Sequence, residues 1–82
     1  MSLEKYREQL DKLDKDMLEI LEKRFEISKQ IGAWKKQNNK PVEDLERERQ
    51  IIENKLQQSQ LPKEFIEELF QLIFKQSKEM QK

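Results

Sequence analysis

Arginine is scarce in this chain, and its positions carry the first chemical information. The seventeen cations divide into thirteen lysines and four arginines, Arg7, Arg24, Arg47 and Arg49. Lys and Arg serve a solvated helix almost equally well. Only Arg offers a planar fork of donors matched to a carboxylate or phosphate. Arg24 stands inside an apolar series, Leu3, Tyr6, Leu10, Leu13, Met17, Ile20, Ile27, Ile31 and Trp34, whose steps of three and four trace one stripe of a helix. A guanidinium in such a seat costs on the order of several kcal/mol unless an anion or partner meets it. Lys35 lies eleven residues on, about 20° off the same face and roughly 16 Å along the axis, so the two long side chains can converge on a small anion. Further along, Glu48 falls on the apolar side of its segment, three after Leu45 and four before Ile52, with Arg47 flanking it. Ser77 and Gln81 continue the row of Ile73 at i+4 and i+8. Cations, a carboxylate, a hydroxyl and an amide on inward seats suit a small dianion that also carries hydroxyl and ether oxygens.

The chain contains no Cys and no His. Thiolate chemistry is excluded, and the usual general base and commonest metal ligand are missing. Acids and bases balance at seventeen each, so no net field favours nucleic acid or an anionic membrane. No apolar run approaches the roughly 20 residues of a membrane span, and no signal peptide is visible. A cytoplasmic protein is the expectation.

Long helices must position these residues. Ala, Glu, Lys, Leu and Arg make up half of the 82 residues, with one Gly and two Pro, a composition of helices rather than of turn-rich sheets. The fold class is all-α, a single small domain. The first helix is expected over 3–37, capped by Ser2 and ended by Asn38-Asn39-Lys40-Pro41. A second is expected over 44–57, with Asp44 as N-cap or first-turn acid and Leu45, Ile51, Ile52 and Leu56 inward. A third is expected over 62–81, with Pro62 in its first turn. The two shorter helices can cover the long one on one side only. The remaining seam is expected to meet a second copy, giving a homodimer of three-helix chains.

Arg7 fits this dimer and not the single chain. It lies roughly 25 Å from Arg24 along the helix and about 100° around it. Antiparallel packing of two long helices about a midpoint near Leu18 brings Arg7 of one copy to the Arg24–Lys35 stretch of the other. Each residue also has an ordinary reading. Arg24 can snorkel out to Glu22 or Glu26, and Glu48 can pair with Lys55 or Lys36 on a solvated face. Lys35 belongs to a lysine pair, and Ser77 and Gln81 sit near a helix end.

Taken in order, Arg7 ahead of Leu10-Asp11-x-Leu13-Asp14, Leu21-x-x-Arg24, Ile31-Gly32-x-x-Lys35, Pro41-Val42-x-Asp44-x-x-Arg47-Glu48 and Ser77-x-x-x-Gln81 resemble the all-helical chorismate mutases. The resemblance runs from Leu3 to Gln81 and departs mainly in a short link between the second and third helices. It implies an intertwined dimer with two active sites and rearrangement of chorismate to prephenate by an intramolecular [3,3] shift, with no metal or cofactor. It further implies that Arg24 and the other chain's Arg7 clamp the two carboxylates, and that Lys35 and Gln81 donate to the ether oxygen. Glu48 and the backbone near Asp44 would hold the ring hydroxyl, with Arg47 and Ser77 completing the polar lining. Fusion to, or association with, another aromatic-pathway enzyme is a further arrangement it allows. Two alternatives remain: an isochorismate-pyruvate lyase on the same fold, against which the Asp44-x-x-Arg47-Glu48 segment weighs, and a non-catalytic mutase-like regulatory or interaction domain.

Overall fold

Each helix begins and ends for a local reason. The computed structural model describes residues 2–82, and among them are three α-helices and no strand. The first, α1 (Leu3–Gln37), is capped by Ser2, whose side chain accepts from the Lys5 N–H at 3.3 Å. It stops in a Schellman turn: the Lys40 N–H reaches the Lys35 carbonyl at 2.8 Å and the Asn39 N–H reaches that of Lys36 at 3.5 Å. The turn requires a left-handed residue, and Asn39 supplies it at φ 55°. Asp44 caps α2 (Leu45–Gln58) by accepting from the Arg47 N–H at 3.1 Å. Pro62 sits immediately before α3 (Lys63–Gln81), one residue earlier than its expected place.

The third helix is the shared packing surface: α1 and α2 both pack against it. Ser28 lies opposite Ser77 and Gly32 lies opposite Gln81, so α3 runs in the same direction as α1. The core is small and centred on α3, with Ile66, Ile73 and Phe74 buried and the Phe70 ring tilted against Phe74 at 6.0 Å. The molecule measures 55 × 24 × 16 Å, its long axis being α1 itself, and the shorter helices leave much of α1 uncovered.

The apolar stripe of α1, expected as a seam with a second copy, lies open within the single chain: Leu3, Tyr6, Leu10, Leu13, Met17, Ile20, Ile27 and Trp34 are all more than half exposed. The face that packs on α3 lies beside it and carries Leu21, Phe25, Ser28, Gly32 and Lys35 at buried or half-buried positions. Ser28 and Gly32 carry no apolar side chain, so a periodicity of apolar residues passes over them. Arg24 borders both faces. Leu45, expected inward, is 64 % exposed, because the first residue of α2 has nothing opposite it in the chain. Ile51, Ile52 and Leu56 are half-buried as expected. No helix among the described residues is long and apolar enough to cross a membrane.

Candidate active site

A cavity of about 410 Å³ opens between the helices, within the size range of small-molecule sites. Its floor is the C-terminal half of α3, with Phe74, Ser77 and Gln81. Arg24, Ser28 and Lys35 of α1 form one side, and Val42, Asp44, Arg47 and Glu48 form the other. Of the eight residues singled out from sequence, seven therefore line one cavity. The eighth, Arg7, is on an exposed part of α1 and pairs with Glu4 at 3.1 Å, outside the cavity of its own chain.

Lys35 is held in place by the chain turn that follows it. The Schellman turn folds residues 40–44 back over the end of α1, and the Val42 carbonyl accepts from the Lys35 ammonium at 2.6 Å. A second Lys35 N–H goes to the Gln81 side-chain oxygen at 2.8 Å. An ammonium has three donors and no acceptor, so one N–H remains for a ligand. The same contact orients Gln81, because only its oxygen can face Lys35 and its NH₂ must point elsewhere. A lysine N–H and an amide N–H are thus left over at neighbouring positions.

Arg24 is anchored from α3. Its Nη1 donates to Ser77 Oγ at 3.0 Å. Ser77 Oγ is 2.9 Å from Ser28 Oγ, which lies 3.2 Å from the Arg24 carbonyl. Burial, and after it the nearby Arg47 guanidinium, holds Arg24 below its ordinary pKa, though an arginine stays charged throughout. Among the described residues no carboxylate lies within ion-pair distance of Arg24, Lys35 or Arg47. Glu26, one suggested partner of Arg24, pairs with Lys29 instead. The fourth arginine, Arg49, is different: it is exposed and engaged by Glu46 and Glu53.

Glu48 is 15 % exposed and pairs with Lys78 at 3.1 Å, rather than with Lys55 or Lys36. Lys78 also reaches Glu43 at 3.4 Å, tying α3 to the start of α2 and to the segment before it. Lys78 and Ser28 are the polar lining residues that sequence reasoning missed. Ser28 is four residues after Arg24, on the same side of α1 as Lys35, and that spacing was available as a signal. Lys78 follows Ser77 directly, and nothing in its own spacing marks it. With Lys78 included, the lining carries four cations, Arg24, Lys35, Arg47 and Lys78, against two carboxylates, Asp44 and Glu48. Two positive charges are left uncompensated in a partly enclosed space.

Comparison with known proteins points the same way. Residues 6–82 match the family described as chorismate mutase type II. The bifunctional chorismate mutase/prephenate dehydratase of Buchnera aphidicola subsp. Baizongia pistaciae is 36% identical over 75 residues, covering 88% of this chain and 20% of that protein. The protein so named from Escherichia coli K12 is 34% identical over 74 residues, covering 87% and 19%. This chain thus spans about a fifth of the length of these curated relatives. Among solved structures, a conserved hypothetical protein from Pyrococcus furiosus superposes with a TM-score of 0.82 at 32% identity, covering 98% of this chain and 95% of that one.

Proposed function

The chain belongs to the chorismate mutase type II family, and we propose that it converts chorismate to prephenate in the cleft between its three helices. Residues 1–82 then constitute one mutase domain of aromatic amino acid biosynthesis. The observation that carries this reading is the pairing of two uncompensated positive charges with two free N–H donors, on Lys35 and Gln81, in one cavity. Chorismate is a dianion whose reacting bond is an ether C–O bond, and it has one hydroxyl on its ring.

The reaction is intramolecular: one ether C–O bond breaks and one C–C bond forms, with no nucleophile and no proton transfer. Catalysis therefore consists of holding the reactive diaxial shape and stabilising charge where it develops. Arg24, fixed by Ser77, takes one carboxylate through its remaining forked N–H groups. Arg47 and Ser77 complete the lining around the carboxylates. The third Lys35 N–H and the Gln81 NH₂ converge on the ether oxygen, which gains negative charge as its bond to the ring breaks. Both donors are preset by other contacts and need not reorganise when that charge appears. Glu48, with one carboxylate oxygen held by Lys78, accepts from the ring hydroxyl through its other oxygen, beside the capped start of α2 at Asp44.

The open cleft leaves the second carboxylate room for a further cation beside Arg47, and the exposed stripe of α1 suggests its source. We infer an intertwined homodimer in which the α1 helices pack antiparallel about Leu18, so that Arg7 of one chain closes the cleft of the other. Eight apolar side chains more than half exposed represent roughly 10 kcal/mol of burial per chain, against association costs of about 4–15 kcal/mol per dimer. Fusion or association with another enzyme of the same pathway fits the names of the relatives, and a cytoplasmic setting belongs to the same reading.

The test is turnover. Purified protein in the presence of a chelator should form prephenate from chorismate. Conversion of isochorismate to salicylate and pyruvate at a much higher rate would replace the mutase reading with the lyase one. Activity on neither substrate would favour a non-catalytic domain.

A further inference from the structure

The hydrogen-bond directions around Arg24 are fixed by chemistry. A guanidinium only donates and a backbone carbonyl only accepts. The 3.0 Å contact therefore makes Ser77 an acceptor towards Arg24 Nη1. The 3.2 Å contact makes Ser28 a donor to the Arg24 carbonyl and uses its only hydrogen. The 2.9 Å contact between the two hydroxyls must then run from Ser77 to Ser28. The result is a closed ring that leaves Arg24 by its guanidinium and returns to it at its backbone, with each hydroxyl donating once and accepting once. Both serines are buried, at 5 % and 7 % exposure, and no buried side-chain polar atom among the described residues lacks a partner.

We propose that Ser28 is a positioning residue for the anion clamp, acting through Ser77 to fix the Arg24 guanidinium and to set the direction of the Ser77 hydrogen. The ring has a second arrangement. When a carboxylate arrives beside Ser77, the Ser77 hydrogen turns to it and the Ser28 hydrogen turns to Ser77. Ser77 then accepts from both Arg24 and Ser28 while donating to the ligand. The bond given up is the one to the Arg24 carbonyl, which lies in a continuous helix and already serves the i+4 amide. Ser28 thus lets one hydroxyl serve the empty site and the occupied site without leaving a buried hydrogen unmatched.

The kinetic arm of the test rests on the mutase reading above. Ser28→Ala should fold normally, since alanine favours a helix interior. It should raise KM for chorismate by roughly tenfold, the scale of one buried hydrogen bond, with kcat within about twofold, because a loosened carboxylate clamp weakens ground state and transition state alike. In a Ser77→Ala background the same change should alter KM by less than about twofold, since the route to Arg24 is already cut. A second readout needs no turnover: nitrogen NMR of the Arg24 guanidinium should show hindered rotation in the wild type and faster rotation in Ser28→Ala. A wild type inactive on chorismate would refute the mutase reading, and the NMR comparison alone would then judge the ring. Unchanged Arg24 rotation in Ser28→Ala, or an equal KM loss with and without Ser77, would overturn the proposal.

Discussion

Gly32 and Gln81 meet backbone to backbone: a β-carbon placed on Gly32 would lie 2.6 Å from the Gln81 Cα and 2.6 Å from its carbonyl oxygen. A glycine inside a 35-residue helix costs about 1 kcal/mol relative to alanine. Here that cost permits a helix contact without which Lys35 and Gln81 would not stand 2.8 Å apart.

Gly32→Ala accordingly sets two effects against each other. Helix propensity gains about 1 kcal/mol, while overpacking against an unyielding backbone costs about 1–3 kcal/mol. Net stability should fall by no more than about 2 kcal/mol. Activity should fall much further, on the order of a hundredfold, because displacing Gln81 by about 1 Å misaligns both ether-oxygen donors. Denaturant unfolding together with kcat/KM checks this. Retained activity alongside lost stability would show that the contact matters for packing alone.

Arg24→Lys keeps the charge and removes the fork, so it tests whether planar recognition is needed. A lysine can reach Ser77 or a ligand carboxylate as a point charge, but cannot hold the first with one N–H and fork onto the second with the others. We expect a loss in kcat/KM of at least about a hundredfold, consistent with loss of a charged, bidentate contact. Turnover near wild type would remove the clamp role.

Gln81→Glu exchanges an amide that donates at every pH for a carboxyl that donates only when protonated. The Lys35 ammonium, 2.8 Å from this side-chain oxygen, favours the ionised form. At neutral pH the variant should be nearly inactive. Its rate relative to wild type should rise as pH falls towards and below the ordinary glutamate value of about 4.3. A flat ratio would place Gln81 out of reach of the reacting oxygen.

Lys78 is held above its ordinary pKa, chiefly by its hydrogen bond to Glu48, with Glu43 adding to this and partial desolvation opposing it. A raised folded-state value means that the charged lysine stabilises the fold fully below its unfolded value, about 10.4. That stabilisation disappears as pH rises through the higher folded value. Wild type should therefore be more stable than Lys78→Met at pH 8, with the difference shrinking above pH ~10.4. Urea midpoints at the two ends of that range decide it, and a difference that widens with pH would contradict the assignment.

The helices and most of the cavity were legible in the sequence because their signals are local. Ser2, Asp44 and the Asn38-to-Pro41 segment announce helix ends through backbone chemistry that does not depend on the fold. Arg24, Lys35, Glu48, Ser77 and Gln81 could be recognised because polar side chains occupied seats that helical spacing assigns inward. Ser28 escaped, and Gly32 was visible only as a residue of the motif and not as a contact, because a small residue between larger ones looks inert until its neighbour across the helix pair is known. Lys78 escaped because its meaning lies in Glu48, thirty residues away in sequence. The apolar stripe of α1 was legible as apolar, but which face of α1 packs on α3 was not, since that face is carried by Ser28 and Gly32 and periodicity identifies an apolar face without naming its partner.

In the proposed dimer, a cleft formed in one chain is completed by Arg7 of a second. Arg7→Ala and Arg24→Ala chains should each be nearly inactive alone. After verified subunit exchange in equal proportions, half of the dimers would be mixed, each with one site holding both arginines, so activity should recover to about one quarter of wild type. No recovery after demonstrated exchange would contradict the shared site, and with it the inferred dimer geometry.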